Sequence, residues 1–167
     1  MKTGDSIAVN GVCLTVVALA AARVDFEVSR ETLACTAGFG EGVHVNLEKS
    51  LRLADRLGGH LVSGHVNGVG RVARFDAVGD NRLLAVTVPP ELARYIARKG
   101  SVAVNGVSLT VNAVSAENGA TFEVNLIPHT LAVTNLNELA AASKVNVEVD
   151  MLARYTERLS EFKDKSP

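Results

Sequence analysis

Residues 7–16 read IAVNGVCLTV, and residues 102–111 read VAVNGVSLTV. Aligned as 7–19 on 102–114, the two stretches agree at nine of thirteen positions. The echo runs on. FEV at 26–28 returns at 122–124, ETLACT at 31–36 returns as HTLAVT at 129–134, and VNLE at 45–48 returns as VNVE at 145–148. The offset drifts from 95 to 100 residues, as small loop insertions produce. A period this long means one module duplicated into two domains, not a solenoid of short units.

The module reads as β. Val, Ile, Leu and Thr alternate with polar or small residues in short runs. Turn pairs divide them at Asn10-Gly11, Asn67-Gly68, Gly79-Asp80, Asn105-Gly106 and Asn118-Gly119, with Gly38 and Gly42 between. The second copy holds six such runs, near 66–74, 82–88, 102–105, 107–114, 121–126 and 144–149. PPELARYIARK at 89–99 has a helix start, with proline in the first turn and acid beside it. NLNELAAAS at 135–143 reads as a second short helix capping the strands. Six short antiparallel strands with tight turns predict a small closed barrel with Greek-key connections.

The first copy does not reach this count. The second copy carries roughly forty residues, two strands and a helix, ahead of VAVNG, whereas six residues precede IAVNG. Four strands cannot close a six-strand barrel, and open edges invite pairing. The count predicts a first repeat lacking about 35 residues at its start, through a mis-set start or a fragment, unless a partner strand fills the gap. The expected organisation is a truncated first repeat at 1–62, a complete one at 63–150 and a C-terminal segment at 151–167. In that segment Met151, Leu152, Tyr155, Leu159 and Phe162 fall on one helical stripe, ringed by Arg154, Glu157, Arg158 and Glu161. A stripe this short must pack on something, either its own barrel or another copy of the chain.

Composition excludes several classes. Seventeen basic residues against 18 acidic ones leave no field for a phosphate backbone or an anionic membrane. Tryptophan is absent and aromatics are 4%, too few for a base-stacking platform. No apolar run approaches the ~18 residues of a membrane span. The apolar stretch behind Lys2 resembles a signal core, but a cleaved leader has no reason to recur mid-chain. Two cysteines, Cys13 and Cys35, make no disulfide framework, so a reducing cytoplasm is the default.

Cys13 and Ser108 occupy the same place in the two copies. Cys13 is a candidate nucleophile or a polar anchor, against the reading of a small residue packed in a strand. Ser108 and Thr110, two apart on one strand, face the same side, and Thr15 matches Thr110. Cys35 aligns with Val133, so packing explains it. His60 and His65, five apart on an extended segment, point to opposite faces, which argues against shared metal ligation. His60 reads as a structural hydrogen-bonding residue. Asp150, before Met151, is either a helix N-cap or a residue that orients Ser108 or acts as a base. Gly38-Phe39-Gly40 lacks the strand and helix that a dinucleotide loop needs.

Taken together, VNGVCLTV, LGGHLVSGHV, KGSVAVNGVSLTV, LIPHTL and VNVEVDMLARY resemble riboflavin synthase of the α-chain type, over essentially the whole chain. The resemblance implies an all-β fold: two tandem six-stranded Greek-key barrels related by pseudo-twofold symmetry, plus a C-terminal α-helix that assembles a homotrimer. It implies a transferase without metal or redox cofactor. Two molecules of 6,7-dimethyl-8-ribityllumazine exchange a four-carbon unit, giving riboflavin and 5-amino-6-ribitylaminouracil. Cys13, His65, Ser108, Thr110 and Asp150 become the candidate catalytic set, with His65 the proton-transfer candidate. The substrate would lie along Leu14 and Thr15; Glu27, Val28, Ser29, Arg30, Glu31 and Thr32; Gly64 and Val66; Lys99; Leu109; and Leu126, Ile127, Pro128, His129, Thr130 and Leu131. Lumazine synthase is a further candidate partner. The rival is a binding module of the same fold, an antenna protein that holds lumazine or flavin without turning it over. Twin pockets differing at Cys13 and Ser108 would give identical substrates different fates.

Overall fold

The structure, a computed structural model, describes residues 1–115 and 120–163. The Asn118-Gly119 turn lies outside the described residues. In the second half, β5 (Gly68–Val78), β6 (Asn81–Val88), β7 (Ser101–Val104), β8 (Val107–Ser115), β9 (Ala120–Leu126) and β10 (Lys144–Val149) close a barrel in the order β10-β5-β6-β9-β8-β7. All neighbours are antiparallel. Its interior is filled by the inward residues of the alternating runs, among them Val72, Leu84, Val86, Val111, Phe122 and Leu126. Leu92, Ile96 and Leu136 come in from the connections to plug the ends.

The first half has β1 (Ser6–Val9), β2 (Val12–Ala20), β3 (Arg23–Phe26) and β4 (Leu47–Lys49), in the order β3-β2-β1-β4. Its pairings copy those of the barrel. Ala8 opposes Cys13 as Ala103 opposes Ser108, and Val9 opposes Leu47 as Val104 opposes Val147. Even the bulge recurs, between Val16 and Ala18 on β2 and between Val111 and Ala113 on β8. Its core is small: Ile7, Val9, Val12, Leu14 and Val16, with Val28, Phe39, Val45 and Val66 against it. The sheet stops at β3 and β4, the two places where the complete barrel continues into β6 and β5.

The two repeats meet at their NG turns. Asn10 and Gly11 have φ of 47° and 77°, and Asn105 and Gly106 have 48° and 82°. Positive φ at both central residues makes a type I′ hairpin, for which Asn-Gly is the preferred pair. The turns stack face to face. A Cβ on Gly11 would lie 2.6 Å from the Gly106 nitrogen, so neither glycine can carry a side chain.

Two expected helices are shorter than the pattern suggested. Residues 89–99 hold one α-turn, α2 (Pro90–Ala93), followed by tighter bonds from Tyr95 to Leu92 and from Ile96 to Ala93. From Lys99 the chain is already committed to the sheet, because Lys99 N–H donates to Val111 and Val111 N–H donates to Gly100. NLNELAAAS holds only a 3-10 turn, Asn135–Glu138, which drops Leu136 into the core. Conversely, the repeated ETLACT and HTLAVT segments are helical, as α1 (Arg30–Cys35) and α3 (Pro128–Val133). Ser29 caps α1 by accepting the Thr32 N–H at 3.0 Å, and proline opens α3.

The last helix, α4 (Met151–Lys163), follows β10 directly. It lies against the α2 connection through Glu157, which accepts from Arg94 Nη1 at 2.9 Å and from the Tyr95 hydroxyl. Leu152, Tyr155, Leu159 and Phe162 stay 60–69% exposed, so four of the five stripe residues turn away from the chain's own barrel. Among the described residues no helix is long and apolar enough to cross a membrane.

Candidate functional site

On β2, Leu14 enters the core while Cys13 and Thr15 face outward, and on β8 Leu109 enters while Ser108 and Thr110 face outward. The thiol and the hydroxyl therefore sit on the outside of their sheets, at matching register. A glycine backbone lies on each. Gly64 has φ of +78°, and a Cβ there would be 2.7 Å from Cys13 Cβ. Its carbonyl accepts the Cys13 N–H at 2.7 Å. Opposite Ser108, a Cβ on Gly59 would lie 2.5 Å from the hydroxyl oxygen.

The segment over Cys13 is held by a buried carboxylate. Glu148, 5% exposed on β10, accepts from Ser63 N–H at 2.7 Å, Ser63 Oγ at 2.6 Å and Gly64 N–H at 2.9 Å. Three donors on one carboxylate satisfy a charge that burial would otherwise penalise. Thus a strand of the second repeat positions backbone against the thiol of the first. Over Ser108 the partner is His60, whose Nδ1 is 2.7 Å from Oγ and whose backbone N–H donates to the same oxygen at 3.3 Å. Burial lowers the His60 pKa from 6.5, while the charges of Asp150 and Glu148 raise it. Asp150 itself accepts the Leu152 N–H at 3.0 Å, the N-cap contact that starts α4.

Cys13, His60 and Ser108 all line one cavity of about 1000 Å³ that crosses the junction of the repeats. Glu48, His44 and Glu138 are on its wall, as are both NG turns. Two matched pockets were expected; among the described residues one cavity reaches both Cys13 and Ser108. The reason is the stacking of the turns, which brings the two outward faces onto one junction.

The comparisons with known proteins bear on this geometry. A family model described as the lumazine binding domain matches residues 1–50 and again 63–150. Riboflavin synthase of Photobacterium leiognathi is 49% identical over 161 residues, covering 95% of this chain and 72% of that protein. Riboflavin synthase of Brucella abortus is 46% identical over 169 residues, covering 97% and 82%. The chain belongs to the riboflavin synthase family. Among solved structures it is similar to LumP complexed with 6,7-dimethyl-8-(1'-D-ribityl) lumazine, with a TM-score of 0.77 at 26% identity over 89% of this chain and 79% of that one. LumP complexed with riboflavin gives 0.78 at 28%, over 89% and 80%.

Within this riboflavin synthase family chain, the residues expected at the site fall into two groups. Around the first half, Leu14, Val28 and Val66 share one apolar cluster, with Cys13 and Gly64 in contact beside it. Thr15, Glu27, Ser29, Arg30 and Glu31 are exposed around it, and Thr32 is half-buried against the cap. Around the second half, Leu109 and Leu126 are buried in the barrel core, and the half-buried Leu131 packs against that core. Thr110, Ile127, Pro128 and His129 are exposed, and Thr130 is half-buried. Lys99 is exposed, held left-handed at φ of 66°. His65 is exposed one residue beyond the Cys13 contact, whereas His60 reaches Ser108. Glu148 had no sequence signal beyond its place in the repeated VNxE. Its alignment with Glu48, in a chain where buried acids are rare, is the clue that could have found it.

Proposed function

We propose that this chain makes riboflavin by dismutation of 6,7-dimethyl-8-ribityllumazine, moving a four-carbon unit from one molecule to another and releasing 5-amino-6-ribitylaminouracil. Two identical substrates sum to the two products, so no external oxidant enters. The task is then to hold two flat heterocycles together and to handle protons. Proximity alone is worth up to ~7–11 kcal/mol in favourable cases.

One observation carries the reading: Cys13 and Ser108, at matching register in duplicated strands, open onto the same cavity. A doubled substrate calls for a doubled scaffold. Different fates for the two molecules call for a difference between its halves, and thiol against hydroxyl supplies one. Cys13 and Ser108 are the candidate groups for addition to substrate carbon. His65, Thr110 and Asp150 are the candidates for proton transfer and orientation around them. Backbone amides of the segments 14–15, 27–32, 64–66 and 126–131 would grip the ring and the ribityl chain.

The working unit on this reading is a homotrimer in the cytoplasm, in which the first repeat of one subunit (1–62) faces the second repeat of its neighbour (63–150). The exposed stripe of the segment 151–167 would make the contact, and lumazine synthase is a candidate supplier of substrate. The antenna-type reading predicts lumazine binding with no riboflavin formed.

Riboflavin formation followed by absorbance, beside lumazine affinity by fluorescence titration, decides between them. Cys13→Ser should keep affinity within about threefold and lose about 10²-fold in turnover. Tight lumazine binding by the unaltered chain with no product would establish the antenna reading instead.

A further inference from the structure

The hydroxyl of Ser108 has a defined partner on each side. The His60 backbone N–H donates to Oγ at 3.3 Å, so the Ser108 proton is free to point at His60 Nδ1, 2.7 Å away. An Nδ1 that accepts leaves the ring hydrogen on Nε2. Nε2 is buried and has no hydrogen-bond partner among the described residues, on a residue that lines the cavity. The Gly59 backbone, packed on Ser108, fixes the entry of the imidazole, and no side chain would fit at that place.

We propose that His60 and Ser108 form a working dyad, in which neutral His60 accepts the Ser108 proton through Nδ1 while its Nε2–H stays turned into the protein. This rests on the synthase reading and deepens it, since it assigns proton handling at the second-repeat half of the cavity to a residue expected to be structural. In the step itself, the Ser108 oxygen forms a bond to an electrophilic ring carbon. The O–H bond breaks, the proton moves to Nδ1, and the ring takes up the electron pair. Reversal returns the proton and leaves the protein unchanged. The charged groups facing the imidazole are Asp150 and Glu148, both anionic, which favour the imidazolium that forms. Burial opposes charging before the reaction, so the ring waits in its neutral, accepting form. His60 acts through Ser108 and is a positioning residue that also receives its proton.

Four variants and one spectrum test this. His60→Asn keeps an acceptor oxygen near Nδ1 but cannot take a proton, and His60→Ala removes both. Each is expected to lower kcat about 10²-fold with lumazine affinity within about threefold, and to flatten the acid limb of the kcat profile. Ser108→Ala should match them, and the His60→Asn, Ser108→Ala double variant should lose no more than either single one. Multiplying losses, or full rescue by His60→Asn, would overturn proton acceptance. Long-range nitrogen NMR on the intact chain reads the dyad without turnover. A neutral Nε2–H tautomer that changes in Ser108→Ala supports it, and an Nδ1–H tautomer overturns it. A chain that makes no riboflavin yet shows the Nε2–H tautomer and the Ser108 dependence keeps the dyad and refutes only the synthase reading.

Discussion

The side-chain amide of Asn46 donates to the backbone carbonyl of Asn105 at 3.0 Å, and Asn146 donates in the same way to Asn10 at 2.9 Å. Each repeat thus sends an asparagine across the junction to the other repeat's NG turn. Within each repeat the same pair closes on itself. Asn10 Oδ1 accepts the Asn46 N–H at 2.9 Å and Asn105 Oδ1 accepts the Asn146 N–H at 2.9 Å, while each turn N–H returns to the strand carbonyl. The quartet explains why VNG and VNxE recur together. It fixes the relative placement of Cys13 and Ser108 within the chain.

Asn146 is the tighter half of this quartet, 1% exposed, where Asn46 is half-buried. Its amide also donates to Ala37 O at 3.0 Å and its Oδ1 accepts the Ala37 N–H at 2.7 Å. Asn146→Ala strands the buried Asn10 carbonyl and both half-buried backbone groups of Ala37, each worth about 1–3 kcal/mol at most when unpaired, so a loss of about 2–4 kcal/mol is expected. Asn46→Ala should cost less. Urea unfolding measures both, and equal effects would show that burial is not what weights the pair.

Gly64 combines a left-handed backbone with contact on Cys13, whereas Gly79 has φ of +58° with open space, nothing within 4 Å, where a Cβ would stand. Gly79→Ala should therefore cost about 1–2 kcal/mol from backbone strain alone. Gly64→Ala adds a Cβ 2.7 Å from Cys13 Cβ and 2.8 Å from its nitrogen, and must push the 63–65 segment off β2. The expected outcome is a larger stability loss than Gly79→Ala together with a turnover loss that Gly79→Ala lacks. Matching activities in the two variants would separate the Gly64 contact from the chemistry.

The duplicated module, the barrel and its six strands were legible in the sequence because alternation and NG turns are local signals that packing reinforces. The lengths of the connecting helices were not. Residues 94–99 have helical composition, yet Lys99 and Gly100 are claimed by bonds to Val111, a partner distant in sequence. At the site, Cys13 and Ser108 could be paired by alignment alone. His60 could not be matched to Ser108, since 48 residues separate them and the contact depends on how the 58–60 segment crosses the junction. Glu148 was hidden for the same reason: its donors are 84 and 85 residues away.

The exposed stripe of α4 carries the self-association prediction. Leu159 is 67% exposed and lies away from Glu157, which anchors the helix to Arg94 and Tyr95. Leu159→Glu should reduce the mass seen by light scattering to that of one chain while leaving the urea midpoint of the monomer nearly unchanged, because no buried contact is lost. Glu157→Ala should do the opposite, loosening α4 from its own barrel first. A monomeric unaltered chain at tens of micromolar would remove the trimer from the proposed function.

The pH dependence of stability follows from His60. Burial holds its folded pKa below the ordinary 6.5, so the unfolded chain binds the proton more readily than the folded one. Stability from this group is therefore complete above pH 6.5 and is lost as pH falls through the folded value. Asp55 and Glu157 are also held low, by Arg52 and by Tyr95 with Arg94, but they titrate below their ordinary 3.8 and 4.5 and leave this window clear. Urea midpoints measured from pH 7.5 down to 5 should fall more steeply for the unaltered chain than for His60→Gln, whose side chain cannot titrate. Parallel curves would mean that the His60 pKa is not lowered on folding, and a rise in stability on acidification that His60→Gln abolishes would mean that the folded chain favours the charged imidazole, whose Nδ1 could not accept the Ser108 proton.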